Sequence, residues 1–410
     1  MHFPVGFYSS SEGGTPLHIL YFWPKGKWMN YILVDTNSKN FYPLTYTRSV
    51  SDLRVGIYTI HEKWEKLIGK KIYRQTESFL QDLYPFQTGD DNIFINAKFI
   101  PTPDLADQIR GLVLNQKLID GADWIACRIA KKDLEITSNM SAIPADTGDQ
   151  VENWWDMLKI NGAQIVADLQ NFHPYPSDGL SDTNLVIGKR SKLYIHPTAK
   201  VDGAIFNTSG GPIFIDEHVT VQEGSMIRGP FAALKGSIVK MGAKIYEGTT
   251  LGPSCLVGGE VKNAILLHSS NKAHEGYLGN SYLGEGVNLG AGTSCSNLKN
   301  NASSIKVWNY IERSFTDTGQ SKLGCVIGDH SKIAINSSIN TGSTIGVSCN
   351  VFGKGFPNKW IPNFSWGSNN QVKFEIESAI QSYQKWCALN GKAPSKKTEA
   401  TLRYLAKRRE

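Results

Sequence analysis

The chain has 410 residues, enough for two or three domains with their own cores, and a formal net charge of +6 at pH 7. That mild charge, with no arginine-rich stripe interleaved with aromatic residues, argues against a nucleic-acid partner and leaves room for an anionic small molecule. No apolar run reaches the roughly 18 residues that span a bilayer, so no membrane role is expected.

The 39 glycines follow no Gly-X-Y period, which points to many tight turns rather than collagen. The six cysteines, 127, 255, 295, 325, 349 and 387, form no CxxC pair and no cluster with histidine at metal-ligand spacing. Reduced thiols in a cytoplasmic protein are expected. Residues 1–28 lack a basic start followed by an apolar core, so they do not read as a signal peptide. They read as a peripheral arm or an over-long start.

From Met29 to about residue 184 the pattern is α/β. "YILV" (31–34) reads as a buried strand, and Ile57, Ile60, Trp64 and Leu67 mark a helix face stopped by Gly69. "NIFINA" (92–97) and "WIACRIA" (124–130) read as further strands, and 152–169 as a helix. This alternation predicts a parallel, doubly wound sheet. In such sheets a ligand sits beyond the carboxyl ends of the strands. Arg48 and Arg54, in the "PLTYTRSVSDLR" segment that follows the first strand, are therefore candidates for gripping phosphate. The competing reading is that they are surface charges paired with Asp52 or Glu62.

From 185 to 371 a period of six takes over. Ile215, Val221, Ile227, Ala233, Val239, Ile245, Leu251 and Val257 are six apart. So are Ile327, Ile333, Ile339, Ile345 and Val351, and between the two runs Tyr277, Leu283 and Leu289. Neither a 3.6-residue helix nor a period-two strand keeps such residues on one face; a hexapeptide parallel β-helix does. Every sixth residue then points into a three-sided prism, with small residues such as Gly224, Gly236, Gly242 and Gly248 at the corners. A phase break between Val201 and Ile215 predicts a bulge or loop. The polar stretch between Cys295 and Ile327 predicts a loop thrown out from the prism. Ile376, Ile380, Tyr383 and Cys387 then recur at helical spacing, and a short basic helix (about 398–408) closes a helical tail at 372–410, with "KRRE" as a solvated end.

"PLTYTR" (43–48) resembles the "PLTxTR" of sugar-1-phosphate nucleotidyltransferases. "EVKNA" (260–264), "HEGYLG" (274–279), "GEGVNLGAGT" (284–293) and "DTGQSKLG" (317–324) resemble the acetyltransferase half of the bifunctional enzymes that make UDP-N-acetylglucosamine. The likeness is to the archaeal-type and alternative bacterial forms, over about residues 30–390. It implies a nucleotidyltransferase-like, Rossmann-like domain followed by a left-handed β-helix that assembles as a homotrimer. His274 matches the general base that takes a proton from the amine of glucosamine-1-phosphate. Lys262 matches the lysine on the sugar phosphate, and Tyr277 and Asn288 match sugar-contacting positions. Ala291, Asn297 and Gly353 match positions lining acetyl-CoA, and Lys306 lies in the insertion where relatives use lysines.

These residue types suit the chemistry. An amine must be neutral to attack a thioester, and histidine titrates near enough to neutrality to accept its proton. Lysine supplies a point charge for phosphate. Read alone, His274 would be a turn histidine, and Asn288 and Asn297 left-handed corner residues.

The first domain departs from the family. Where a glycine-rich loop should cradle phosphates stands "VDTNSKNFYPLT", without glycine, and Val50 and Asp52 stand near an expected lysine. Asn96 replaces an expected metal-binding acid, leaving Asp35 and Asn161 as remote magnesium contacts. A variant nucleotide site would use Arg48, Arg54 and Lys63 with UTP and Mg2+. Two alternatives stand beside acetyl transfer: a sugar-1-phosphate nucleotidyltransferase with the β-helix as a trimerising scaffold, and a catalytically inactive regulatory subunit.

Overall fold

The computed structural model describes residues 29–86, 89–130, 140–145, 147–172, 180–370 and 372–408. The proposed arm at 1–28 lies outside the described residues, as does the very end of "KRRE".

The first domain begins with β1 (Met29–Val34), whose last four residues are buried. Helix α1 (Ile60–Ile68) opens on a Thr59–Glu62 capping box and stops at Gly69 (φ 73°), the stop read from sequence. The further elements are β2 (Ile72–Gln75), β3 (Asp91–Asn96), α2 (Pro103–Arg110), β4 (Gln116–Asp120), β5 (Asp123–Ile129), β6 (Ser141–Pro144) and α3 (Trp154–Phe172). The sheet order is β2-β1-β3-β5-β4-β6. Only part of the sheet is parallel. β1 runs parallel to β2 and β3, but β5 is antiparallel to both β3 and β4. The expectation of an all-parallel sheet is therefore corrected. Two residues, Gly121 and Ala122, separate β4 from β5, and so short a link can only make a hairpin.

The prism is a left-handed parallel β-helix. On one face the inward residues run Ile227, Ile245, Val261, Leu278, Cys295 and Ile339, each paired with the next. On a second they run Ile215, Ala233, Leu251, Leu266, Leu283, Ile327, Ile345 and Ile361. On the third they run Val201, Val221, Val239, Val257 and Lys272, and then Leu289, Ile333 and Val351. All the residues of the two long six-step runs are buried. The break before Ile215 is the corner at 208–212, after the strand Ile205–Asn207.

Tyr277 corrects the count: Leu278, not Tyr277, enters the stack. The strands Glu260–Leu266 and Tyr277–Leu283 continue round a corner at Asn263 and Asn280, both at φ 47°. The inward step there shortens to five, from Val261 to Leu266 and from Leu278 to Leu283. The slip turns Tyr277 outward. Asn288 and Asn297 are not among the left-handed residues, so the corner-asparagine reading does not apply to them.

The polar insertion is not thrown out as a loop. Lys306–Asn309 and Ser314–Asp317 form an antiparallel hairpin that lies back on the first domain. Ile305 and Val307 enter the same core as Tyr31, Phe41 and Trp154. The C-terminal segment is likewise docked, not a tail. Ala379 and Tyr383 of α4 (Ile376–Leu389) and Leu402 and Leu405 of α5 (Lys396–Lys407) pack with Tyr42, Tyr46, Val347 and Phe364.

Helix α3 joins the two halves. Asn161 accepts from the Gly56 N–H (2.7 Å) and donates to the Gly248 carbonyl (2.8 Å) and Thr250 Oγ1 (3.0 Å). All six cysteines are free thiols. Among the described residues no helix is long and apolar enough to cross a membrane.

Candidate functional site

The stretch "NKAHEGYLGN" leaves the third face at Asn271–Lys272, turns a corner, and enters the first face at Tyr277. The corner is tight. A side chain on Gly276 (φ 118°) would place its Cβ 2.1 Å from the Thr293 carbonyl oxygen. One on Gly259, a coil earlier, would meet the His274 carbonyl oxygen at 2.8 Å. Backbone packing thus holds this corner between its neighbours while the His274 side chain stands exposed. Its imidazole has no hydrogen-bond partner among the described residues.

The strand register extends this corner into a column. Leu289 pairs with Ile333 and Ile333 with Val351, so Ala291, Ile335 and Gly353 occupy successive coils at the same corner. His274 joins them through the pairing of Asn271 with Asn288. The Gly292 N–H donates to the Glu275 carbonyl (3.1 Å), and the Asn336 N–H donates to the Ala291 carbonyl (2.7 Å). Ile335 is 67% exposed in this column.

Lys262 and Tyr277 project from the first face. The Lys262 ammonium lies 3.3 Å from a Glu247 carboxylate oxygen and 5.4 Å from the Tyr246 ring. Tyr277 lies beside Asn297, and burial raises its phenol above the ordinary 10. Asn297 in turn donates to Asn280 Oδ1 (2.7 Å). The structure therefore brings Lys262, Tyr277 and Asn297 onto one face, beside the column of His274, Ala291 and Gly353. Asn288 lies on the third face between Asn271 and Lys332, and Lys306 lies at the base of the hairpin. Within one chain these two do not join the cluster.

Lys272 was missed by the sequence reading. It occupies an inward stack position beside Val257 and is 1% exposed. Its ammonium donates to the His274 carbonyl and, at 3.3 Å, to that of Gly258. Burial lowers its pKa to about 8. The available signal was a charged residue at a stack position two places before the histidine.

The basic residues of the first domain have other partners. Arg48 donates to Asp329 and lies 3.7 Å from Glu285, both on the β-helix. Arg54 donates to the Ile57 carbonyl and lies 3.5 Å from Glu62, one of the two acids weighed for it from sequence; its backbone exchanges two hydrogen bonds with the Tyr282 hydroxyl. Lys63 is buried against Asp168 and donates to Gln164 (2.9 Å). In the structure the charges of these three face the protein's own carboxylates. Asp52 pairs with Arg74 (2.8 Å) and Tyr84 (2.6 Å).

The residues weighed as magnesium contacts are likewise engaged within the protein. Asp35 accepts from Ser49 Oγ (2.7 Å), Thr76 Oγ1 (2.6 Å) and the Val50 N–H (3.1 Å), and burial raises its carboxyl to about 6. Asn161 is committed to the domain junction, and Asn96 accepts from Thr36 (2.6 Å). Near the carboxyl ends of β1 and β3 the acids Asp123 and Glu152 both face the Lys98 ammonium, at 2.7 and 2.5 Å. Among the described residues no group of three or more His, Cys, Asp or Glu is placed to hold a metal ion.

An α/β domain with a sheet opening at Asp35 is thus braced by α3 against a hexapeptide β-helix with an exposed corner histidine. The family model for sugar nucleotidyl transferases matches residues 31–174. Over about a third of its length the chain is similar to bifunctional sugar-1-phosphate nucleotidylyltransferase/acetyltransferases, archaeal ones included. It is 30% identical over 153 residues to the bifunctional sugar-1-phosphate nucleotidylyltransferase/acetyltransferase of Sulfurisphaera tokodaii, covering 35% of each chain. To the bifunctional protein GlmU of Synechococcus elongatus it is 32% identical over 146 residues, 35% of this chain and 25% of that one. To the GlmU of Methanocaldococcus jannaschii it is 33% identical over 157 residues, 38% and 32% of the two chains. The chain thus spans about a third or less of the length of these curated relatives.

Proposed function

We propose that the protein transfers the acetyl group of acetyl-CoA to the amino group of an amino-sugar 1-phosphate, with glucosamine-1-phosphate favoured, at the corner of the β-helix. One observation carries this reading: the exposed, unpartnered His274 ring beside the face that holds Lys262, Tyr277 and Asn297. In this reading the imidazole accepts a proton as the amine nitrogen attacks the thioester carbonyl. The tetrahedral adduct then collapses and coenzyme A leaves as its thiolate. Lys262 exchanges Glu247 for the sugar phosphate, and the Tyr277–Asn297 pair meets the sugar. The cofactor runs along the column of Ala291 and Gly353, where small residues admit it to the backbone. Asn288 and Lys306, which do not reach this face within one chain, come from a neighbouring subunit of a cytoplasmic homotrimer.

The test is release of free coenzyme A from acetyl-CoA with glucosamine-1-phosphate and with galactosamine-1-phosphate. Turnover faster with the first is expected. No thiol release with either sugar would overturn the reading.

Lys272 acts here as a positioning residue, since its ammonium holds the carbonyl of His274. Loss of its charge as pH rises through about 8 is expected to lower turnover. Lys272→Met should be slower by about ten- to a hundredfold and lose that basic limb. A pH–rate profile with the same limb in both proteins would remove Lys272 from the argument. The stability effect has the opposite slope. The unfolded chain binds more protons between about 8 and the ordinary 10.5, so this group's contribution rises with pH there.

A second reading, nucleotidyl transfer from UTP by the first domain, is favoured by the family match over residues 31–174. The engaged state of Arg48, Arg54 and Lys63 weighs against it. Pyrophosphate release from UTP and a sugar 1-phosphate would support it.

A further inference from the structure

The hairpin, the last coils of the prism, helix α5 and the segment after β1 enclose a cavity of about 240 Å³. Its walls are aromatic. Tyr42 and Tyr46 stack with centroids 3.6 Å apart, and Tyr310 meets both edge-on. Trp308 stacks on Trp360 at 4.2 Å. Its rim is cationic: Lys39, Arg313 and Arg408 line it, and among the described residues no carboxylate does. The Trp360 indole N–H is buried without a hydrogen-bond partner among the described residues. A second cavity of about 560 Å³ shares Trp360, Asn363, Leu405 and Arg408 with the first and adds Glu375 and Lys373 on its far side. Together they fall within the roughly 300–1,000 Å³ of small-molecule sites, with Glu375 the one acid among their described lining residues.

None of the lining residues belongs to the His274 corner or to the face of Lys262 and Tyr277. None is among the three cations first considered for nucleotide phosphates. Three cationic residues from separate elements line the 240 Å³ cavity, and none has an ion-pair partner among the described residues. Such a rim favours an anion, and guanidinium groups suit phosphate in particular. The aromatic walls favour a flat ring, which they can stack.

We propose that this cavity binds a nucleoside phosphate, with its base against the Tyr and Trp walls and its phosphate on Arg313, Arg408 and Lys39. The ligand would touch the first domain, the hairpin and α5 together, and its binding would tie these three elements to one another.

The test is calorimetric titration of the full chain with UMP and AMP, beside uridine, adenosine and inorganic phosphate. Saturable heat is expected for at least one nucleotide, with the matching nucleoside and free phosphate weaker. The double charge reversal Arg313→Glu/Arg408→Glu, both at exposed positions, should weaken binding by about tenfold or more. Trp360→Leu, which removes an aromatic ring from the wall, should weaken it by a smaller factor. Coenzyme A release should be unchanged in these variants. Absence of saturable heat through the millimolar range would overturn the proposal. So would unchanged affinity in the double variant, or a nucleoside that binds as tightly as its phosphate. The readout is binding heat, so it stands or falls separately from the acetyl-transfer reading.

Discussion

Replacing His274 with alanine is expected to lower acetyl transfer by about two to four orders of magnitude, the usual contribution of a general base. The effect should fall on kcat, because the ring is proposed to act on the proton lost during attack rather than on substrate binding. Stability should hardly change. The side chain is exposed and has no hydrogen-bond partner among the described residues, and such surface changes stay within about 0.5 kcal/mol. A thermal melt matched to wild type, measured beside coenzyme A release, separates loss of chemistry from loss of fold. Wild-type turnover by the variant would remove His274 as the base and move attention to the first domain.

Replacing Asp168 with alanine is expected to cost about 3–5 kcal/mol, the usual penalty for leaving half of a buried ion pair. Asp168 and Lys63 have side chains 3% and 2% exposed, and the carboxylate also accepts from the Ile57 N–H at 2.7 Å. Without it the Lys63 ammonium would keep only Gln164. Burial already lowers the pKa of that lysine, so the unpaired charge would be held against its preference. Scanning calorimetry should show the first domain melting on the order of 10 °C lower. The double variant Lys63→Met/Asp168→Leu should recover much of the loss, because an apolar pair of similar size replaces a buried ion pair at little cost. An Asp168→Ala protein that melts like wild type would show that Lys63 does not depend on this partner. Lys63 would then be available again as a nucleotide contact.

The difference between these two residues explains what the sequence could reveal. His274 was legible because it sits in a spaced set, twelve residues after Lys262 and three before Tyr277, within a strict coil repeat. Lys63 and Arg48 sit in no such set. A cation near the end of a strand looks the same in sequence whether it faces a ligand or a carboxylate. The deciding partners, Asp168 and Asp329, lie 105 and 281 residues away. The insertion was misread for a similar reason. Ile305 and Val307 look like isolated apolar residues in a polar stretch, and the core that receives them belongs to the first domain. Tyr277 was placed one residue out of phase because two seven-residue strands continue round a corner that a count of six does not show.

The period of six by itself determined the β-helix, its inward stack and the corner that carries His274. Each coil contacts chiefly the coil before and after it, so local spacing is enough to specify the solenoid. The capped helix at Thr59–Gly69 and the strands of the first domain were determined in the same local way. Only the tertiary structure decided which charges remain available. It paired Arg48 with Asp329, Lys63 with Asp168 and Lys98 with Asp123 and Glu152, and it left Lys39, Arg313 and Arg408 around an aromatic cavity. The physical reason is that an ion pair depends on distance through space, and distance along the chain carries no record of it.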